Sequence, residues 1–117
     1  MTEIIGHRGL SFLHPDNSLS GINAAKQYCS AVEIDLRLTK DSEIFLFHDP
    51  DIKGVKIHCK EKDDLIGEFS QLNIQDHHLT SRNQLGLIPV FFEMKVDGLN
   101  DGQREVLKEK TIKLASE

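Results

Sequence analysis

The most regular stretch of the chain is 32–39, Val-Glu-Ile-Asp-Leu-Arg-Leu-Thr, in which apolar and polar residues alternate without a fault. Val32, Ile34, Leu36 and Leu38 face one way and Glu33, Asp35, Arg37 and Thr39 the other, the two-residue repeat of a strand with one dry face. A turn at Lys40-Asp41-Ser42 leads into the apolar run Ile44-Phe45-Leu46-Phe47, which stops at His48-Asp49-Pro50. A parallel crossover takes a dozen or more residues, so this short connection predicts a hairpin return. An even-numbered loop would then set His48 opposite Glu33 or Asp35, on the same face.

Upstream, Ile4-Ile5 reads as a buried strand that runs into a loop at Gly6-His7-Arg8-Gly9. Residues 10–17 are turn-rich, and Asn17 or Ser18 begins a helix over about 18–30, marked by Leu19, Ile22, Ala25 and Tyr28. Ala24 and Ala25 let that helix lie close to a sheet. Residues 51–86 are less regular. Lys53, Lys56, Lys60 and Lys62 alternate with acids as a solvated face, Leu65, Phe69 and Leu72 predict a short helix, and 76–84 reads as loop. The last strong strand is 88–95, with Val90, Phe92 and Met94 on one face and Phe91, Glu93 and Lys95 on the other. A loop at 98–102 precedes an amphipathic helix over 104–115 carrying Val106, Leu107, Ile112 and Leu114. There is no internal repeat.

Composition narrows the classes. The 117 residues suit one domain, 1–117. Fourteen Lys and Arg against 19 Asp and Glu give a net charge of −5, which argues against a nucleic-acid partner. Trp is absent and aromatics are 6%, too few for a base-stacking platform. No apolar run approaches the roughly 18 residues of a membrane span. The start Met-Thr-Glu-Ile-Ile-Gly-His has no signal-peptide character, so a cytoplasmic chain with Cys29 and Cys59 as reduced thiols is the expectation.

Read together, the strands supply Glu33, Asp35 and Glu93 as hard oxygen donors, with His7 and His48 at strand ends. Three neighbouring carboxylates repel unless a cation lies between them, and oxygen ligands suit Mg²⁺ or Ca²⁺. Two histidines suit a general acid and base, and Arg8 and Lys95 add charge for a phosphate oxygen. The bland alternative is a set of surface strands wetting their polar sides. His14, His58, His77 and His78 read as surface histidines, and Tyr28 and Cys29 as helix packing.

The local words come in a fixed order: Gly6-His7-Arg8-Gly9, Pro15-Asp16-Asn17-Ser18, Glu33-x-Asp35, Thr39-Lys-Asp-Ser, Phe47-His48-Asp49 and Phe92-Glu93-Met-Lys95. That series resembles the glycerophosphodiester phosphodiesterase family, whose pattern runs His-Arg-Gly, Pro-Glu-Asn-Thr, Glu-x-Asp, Thr-x-Asp-Gly, His-Asp and Glu-x-Lys. The likeness is close from about 4 to 49 and returns at 88–95. It implies that His7 and His48 are the catalytic acid and base, that Arg8 and Lys95 bind the substrate phosphate, and that Glu33, Asp35 and Glu93 hold the divalent metal. Asn17 would support the first loop. The products would be glycerol 3-phosphate and an alcohol, with the substrate's own glycerol hydroxyl as one candidate nucleophile.

Asp16 and Ser18 depart from the family's Glu and Thr but keep the chemistry. Ser42 replaces a turn glycine, and Cys29 stands where a helix-ending glycine is usual, each at a small conformational cost. The implied fold is α/β, a (β/α)₈ barrel, which takes about 250 residues. The chain is therefore expected to be a partial or truncated barrel, its first strands and helices without the C-terminal half. The open sheet edge leaves three explanations: self-association, a remnant without turnover, or a compact variant closed by other means. The alternative function is a truncated phosphate- or metal-binding fold without catalysis. A related lyase acting on choline phospholipids and stopping at a cyclic product is a third.

Overall fold

In the computed structural model, residues 4–9 and 14–117 are described. The turn-rich reading of 10–13 lies outside them. The alternating stretch forms the central strand. Strand β1, Ile5–His7, leads through a loop to helix α1, Leu19–Ala25, and then to β2, Ala31–Leu38. β1 and β2 pair in parallel, with His7 beside Glu33. Ser18 caps α1, its hydroxyl accepting from the Gly21 N–H at 3.0 Å. The helix is shorter than its periodicity predicts. After Ala25 the chain tightens into turns, Tyr28 stays exposed, and the Ser30 N–H reaches the Ile4 carbonyl at 2.7 Å. Cys29 is not at positive φ, so the expected glycine-like strain is not found there.

Strand β3, Ile44–Leu46, returns antiparallel to β2 as the short connection predicts. Its turn is built by side chains. The Thr39 hydroxyl donates to Asp41 Oδ1 at 2.6 Å and accepts the Glu43 N–H at 2.9 Å. Ser42 takes φ 63°, the left-handed conformation expected of the glycine it replaces. The connection, residues 39–43, is odd in number, and this corrects the predicted register. Leu36 lies opposite Leu46, and the Phe47 N–H donates to the Asp35 carbonyl at 3.1 Å. Phe47, not His48, is thus the neighbour of Asp35, and His48 follows beyond the strand end.

A small hairpin, β4 at Asp51–Ile52 and β5 at Val55–Lys56, precedes a 3₁₀ turn at Ile57–Cys59 and helix α2, Lys62–Glu68. Two further 3₁₀ turns, Ser70–Leu72 and Ile74–His77, lead to β6, His78–Leu79, which pairs antiparallel with β3. The 76–84 segment is therefore not plain loop. Nor are its histidines surface groups. His77 is buried, with Nδ1 3.1 Å from the Leu46 carbonyl. His78 stacks on Phe45 at 5.0 Å and meets Glu43 Oε1 at 3.0 Å. Strand β7, Val90–Met94, then pairs parallel with β2, setting Glu93 beside Asp35. Helix α3, Asp101–Ser116, opens with a reciprocal Asn100–Gln103 cap and buries Leu107 and Leu114, while Ile112 stays exposed.

Carbonyls alternate in direction along a strand. Those of Glu33 and Asp35 accept from Arg8 and Phe47, whereas that of Leu36 accepts from Lys95. β1 and β3 therefore flank one side of β2 and β7 the other. The apolar face of β2 joins Ile22, Leu107 and Leu114 in the main core beneath α1 and α3. A second cluster of Phe45, Ile52, Ile57, Leu65, Phe69 and Ile74 forms a cap of residues from β3 onward. Asp41 joins the two parts by accepting the Lys62 N–H at 3.0 Å, at the start of α2.

Three parallel strands, β1, β2 and β7, thus carry their helices on one face and a polar row on the other. Among the described residues, β1 and β7 are each paired along one edge only. Ile5 and Phe91, on the polar face, are more than half exposed. Cys29 and Cys59 are free thiols. No helix among the described residues is long and apolar enough to cross a membrane.

Candidate active site

Asp35 is the centre of the polar row and is fully buried. Asn17, equally buried, holds it from two directions: its amide donates to Asp35 Oδ2 at 3.0 Å, and its Oδ1 accepts the Asp35 N–H at 3.0 Å. The first loop is shaped for this. The Asn17 N–H donates to the Arg8 carbonyl at 2.8 Å, and Arg8 and Asn17 take φ values of 57° and 62°. Gly9 is required by space as well as by its φ of 84°, because a Cβ there would lie 3.0 Å from the α1 backbone at Gly21 and Ile22.

Two cations flank Asp35. Arg8 Nε is 3.5 Å from Oδ2 and Lys95 Nζ is 3.7 Å from Oδ1. Lys95 also pairs with Glu93 at 2.7 Å, and Arg8 with Asp16 at 3.1 Å. Glu33, Asp35 and Glu93 each offer an oxygen within 4.8 Å of the others. Burial, the hydrogen bond to Glu93 and the charge of Asp35 hold the Glu33 carboxyl above its usual range. The Lys95 ammonium, with the bond from Glu33 second, draws Glu93 down to about 2. The neighbouring carboxyls are thus driven apart, Glu33 upward and Glu93 downward.

Among the described residues, Glu33 Oε1 and Asp35 Oδ1 are buried without a hydrogen-bond partner. Carboxylate oxygens buried without hydrogen bonds are costly in a protein interior. A hard divalent cation satisfies them, so the donor set fits Mg²⁺ or Ca²⁺.

The histidines lie at separate places around this trio. His7 Nε2 is 3.7 Å from Glu33 Oε1, and the ring is largely exposed. His48 lines a cleft of about 160 Å³ with Arg8, Asp16, Asn17, Phe47 and Asp49, its Nδ1 2.8 Å from Asp49 Oδ1. Arg8 connects the two regions, since it both lines the cleft and touches Asp35. Arg37 is the group that the sequence reading left without a role. Its side chain donates to Asp97 Oδ1 at 2.7 Å and to the His48 carbonyl. The one signal for it was its place on the polar face of β2, two residues beyond Asp35.

The sequence profile of the glycerophosphoryl diester phosphodiesterase family matches residues 7–109. The chain belongs to this family. A 47-residue stretch is 38% identical to the uncharacterized protein MG293 of Mycoplasma genitalium, covering 39% of this chain and 19% of that one. Two solved structures share the fold. The glycerophosphodiester phosphodiesterase of Thermotoga maritima superposes with a TM-score of 0.68 at 24% identity, covering 97% of this chain and 51% of its own. An Oleispira antarctica phosphodiesterase in complex with the product sn-glycerol-3-phosphate gives 0.76 at 21% identity, covering 100% and 53%. The chain thus spans about half the length of these structures and about a fifth of the curated relative. Its α/β architecture is part of a (β/α)₈ barrel, with the polar row at the carboxyl ends of the parallel strands, where such barrels place their chemistry.

Proposed function

We propose that the chain hydrolyses glycerophosphodiesters to glycerol 3-phosphate and an alcohol, with 1–117 working as one domain. The observation that carries this reading is the trio of carboxylates within 4.8 Å, two with partnerless buried oxygens, flanked by Arg8 and Lys95. Glu33, Asp35 and Glu93 hold a divalent cation, Mg²⁺ or Ca²⁺, which when bound draws charge from the phosphoryl group. Arg8 and Lys95 bind phosphate oxygens with charge-assisted hydrogen bonds. Of the two histidines, one takes the proton of the attacking hydroxyl and the other gives a proton to the departing alcohol oxygen. With the substrate's own glycerol hydroxyl attacking, a cyclic phosphate forms and water opens it. The glycerol 3-phosphate bound to the Oleispira protein is the product that this scheme yields.

A second reading, a phosphate- or metal-binding chain without turnover, is favoured by the open sheet. Self-association is the proposed remedy, since, among the described residues, β1 and β7 each offer an unpaired edge beside exposed Ile5, Phe91 and Met94. The test is release of glycerol 3-phosphate from glycerophosphocholine with Mg²⁺ or Ca²⁺, by the wild-type chain and by His7→Ala, across protein concentration. Cation-dependent release lost in the variant supports the hydrolase. A folded, cation-binding chain without release leaves the binding reading standing.

A further inference from the structure

We propose that Arg37 is a positioning residue that clamps the main chain of His48 against the loop that follows Lys95. The inference rests on the assignment of His48 as an acid/base group. Arg37 leaves β2 on the same face as Asp35, two residues on, and its side chain is only 7% exposed. One Nη donates to the His48 carbonyl and the other to Asp97 Oδ1 at 2.7 Å. A planar guanidinium carries its donors at fixed angles, so two acceptors bound by it are fixed relative to each other. His48 lies beyond the end of β3, and Asp97 lies two residues after Lys95. The guanidinium therefore joins the two loops that carry an acid/base group and a phosphate-binding group.

No other tether holds His48 so directly. Among the described residues, the bond from Arg37 is the one hydrogen bond to the His48 main chain. Among the described residues, the one hydrogen bond of the His48 ring is with its exposed neighbour Asp49. Arg37 Nε, meanwhile, is buried with no partner. A buried cation with an unmade bond is costly, and an apolar side chain would serve packing better. What the guanidinium supplies and an apolar residue cannot is the fixed geometry of His48. Asp97 completes the clamp, because the hydrogen bond from Arg37 keeps its carboxyl below the usual range and charged.

The test compares Arg37→Met, Arg37→Lys and Asp97→Ala with the wild-type chain, each checked by thermal melting. Backbone ¹⁵N relaxation is expected to show a clear fall in order at His48 and Asp49 in Arg37→Met and a smaller one in the other two, with Glu33 and Asp35 unchanged. For glycerophosphocholine turnover, kcat is expected to fall about a hundredfold in Arg37→Met with KM nearly unchanged, as displacement of a reacting group by about 1 Å does. Arg37→Lys recovers part of that loss. Unchanged backbone order at His48 in all three variants overturns the proposal, as does a kcat equal to wild type in a chain that turns over. Should the wild-type chain show no turnover, the hydrolase reading fails, while backbone order at His48 still decides the clamp. Should Arg37→Met fail to fold, Asp97→Ala carries the test, since Asp97 is mostly exposed.

Discussion

Asn17→Ala isolates the device that fixes Asp35. The substitution removes two buried hydrogen bonds at 3.0 Å, one of them to a carboxylate, and leaves the Asp35 N–H without a partner and Oδ2 with only the Arg8 guanidinium at 3.5 Å. Each buried group left unpaired costs about 1–3 kcal/mol. The left-handed φ of 62° is carried by asparagine and alanine alike, since both have a Cβ that crowds the following carbonyl, so the cost comes from the two lost bonds at about 2 kcal/mol each. The sum is about 4 kcal/mol, a large part of the roughly 5–15 kcal/mol that holds a domain together. Asn17→Gly loses the same bonds without the backbone strain, so it is expected to be milder by about 1 kcal/mol. Urea unfolding followed by circular dichroism reads both, as a lower midpoint at unchanged slope. A cost for Asn17→Ala below about 1 kcal/mol, the level of an ordinary substitution, would refute the clamp. Equal costs for alanine and glycine would refute the part assigned to the backbone.

Further expectations concern the rest of the fold and site. Asp41→Ala removes the acceptor for the Lys62 N–H and the Thr39 hydroxyl, and by analogy with a lost helix cap it should cost about 1 kcal/mol in the same unfolding assay. No loss would mean that the turn does not support α2. Burial depresses the pKa of His77, against the hydrogen bond to Leu46, so the unfolded chain binds its proton first. The stability that His77 contributes is complete above about pH 6.5 and is lost as pH falls below it. The wild-type melting temperature should therefore drop more steeply than that of His77→Asn between pH 7 and pH 5, values about the ordinary histidine pKa. Parallel slopes would contradict this. Because the Glu33 carboxyl is held above its usual range, Mg²⁺ competes with its proton at higher pH than at an ordinary glutamate, and affinity should go on rising with pH above the ordinary glutamate range. Glu33→Gln should abolish that rise, and a pH-independent affinity in the wild-type chain would count against the upward shift at Glu33. Sedimentation velocity across protein concentration tests the open edges, with association expected and a monomer throughout opposing it.

What was legible in the sequence was what repeats or pairs locally. The alternation at 32–39 located both faces of β2, and the short connection after it predicted the hairpin that β3 forms. The strand pattern and the motif order point to Glu33, Asp35 and Glu93 as one group, and the parallel register of β7 sets Glu93 beside Asp35. His48 was misplaced because register depends on loop parity, and the Thr39–Asp41 turn uses an odd number of residues. His77 and His78 were misread because burial of a polar ring is decided by partners distant in sequence, Leu46 and Glu43. Arg37 went without a role for the same reason, since Asp97 lies sixty residues on and leaves no local trace. Helix α1 stopped early because its last apolar position, Tyr28, is drawn out of the helix by the turn back into the sheet.

The most direct measurement is a calorimetric titration of Mg²⁺ and Ca²⁺ into the metal-free chain and into Asp35→Asn. A saturable site in the wild-type chain, lost in the variant while both proteins remain folded, is the result the arrangement of Glu33, Asp35 and Glu93 requires. A folded wild-type chain that takes up neither cation, or a variant that binds as well as wild type, would contradict it.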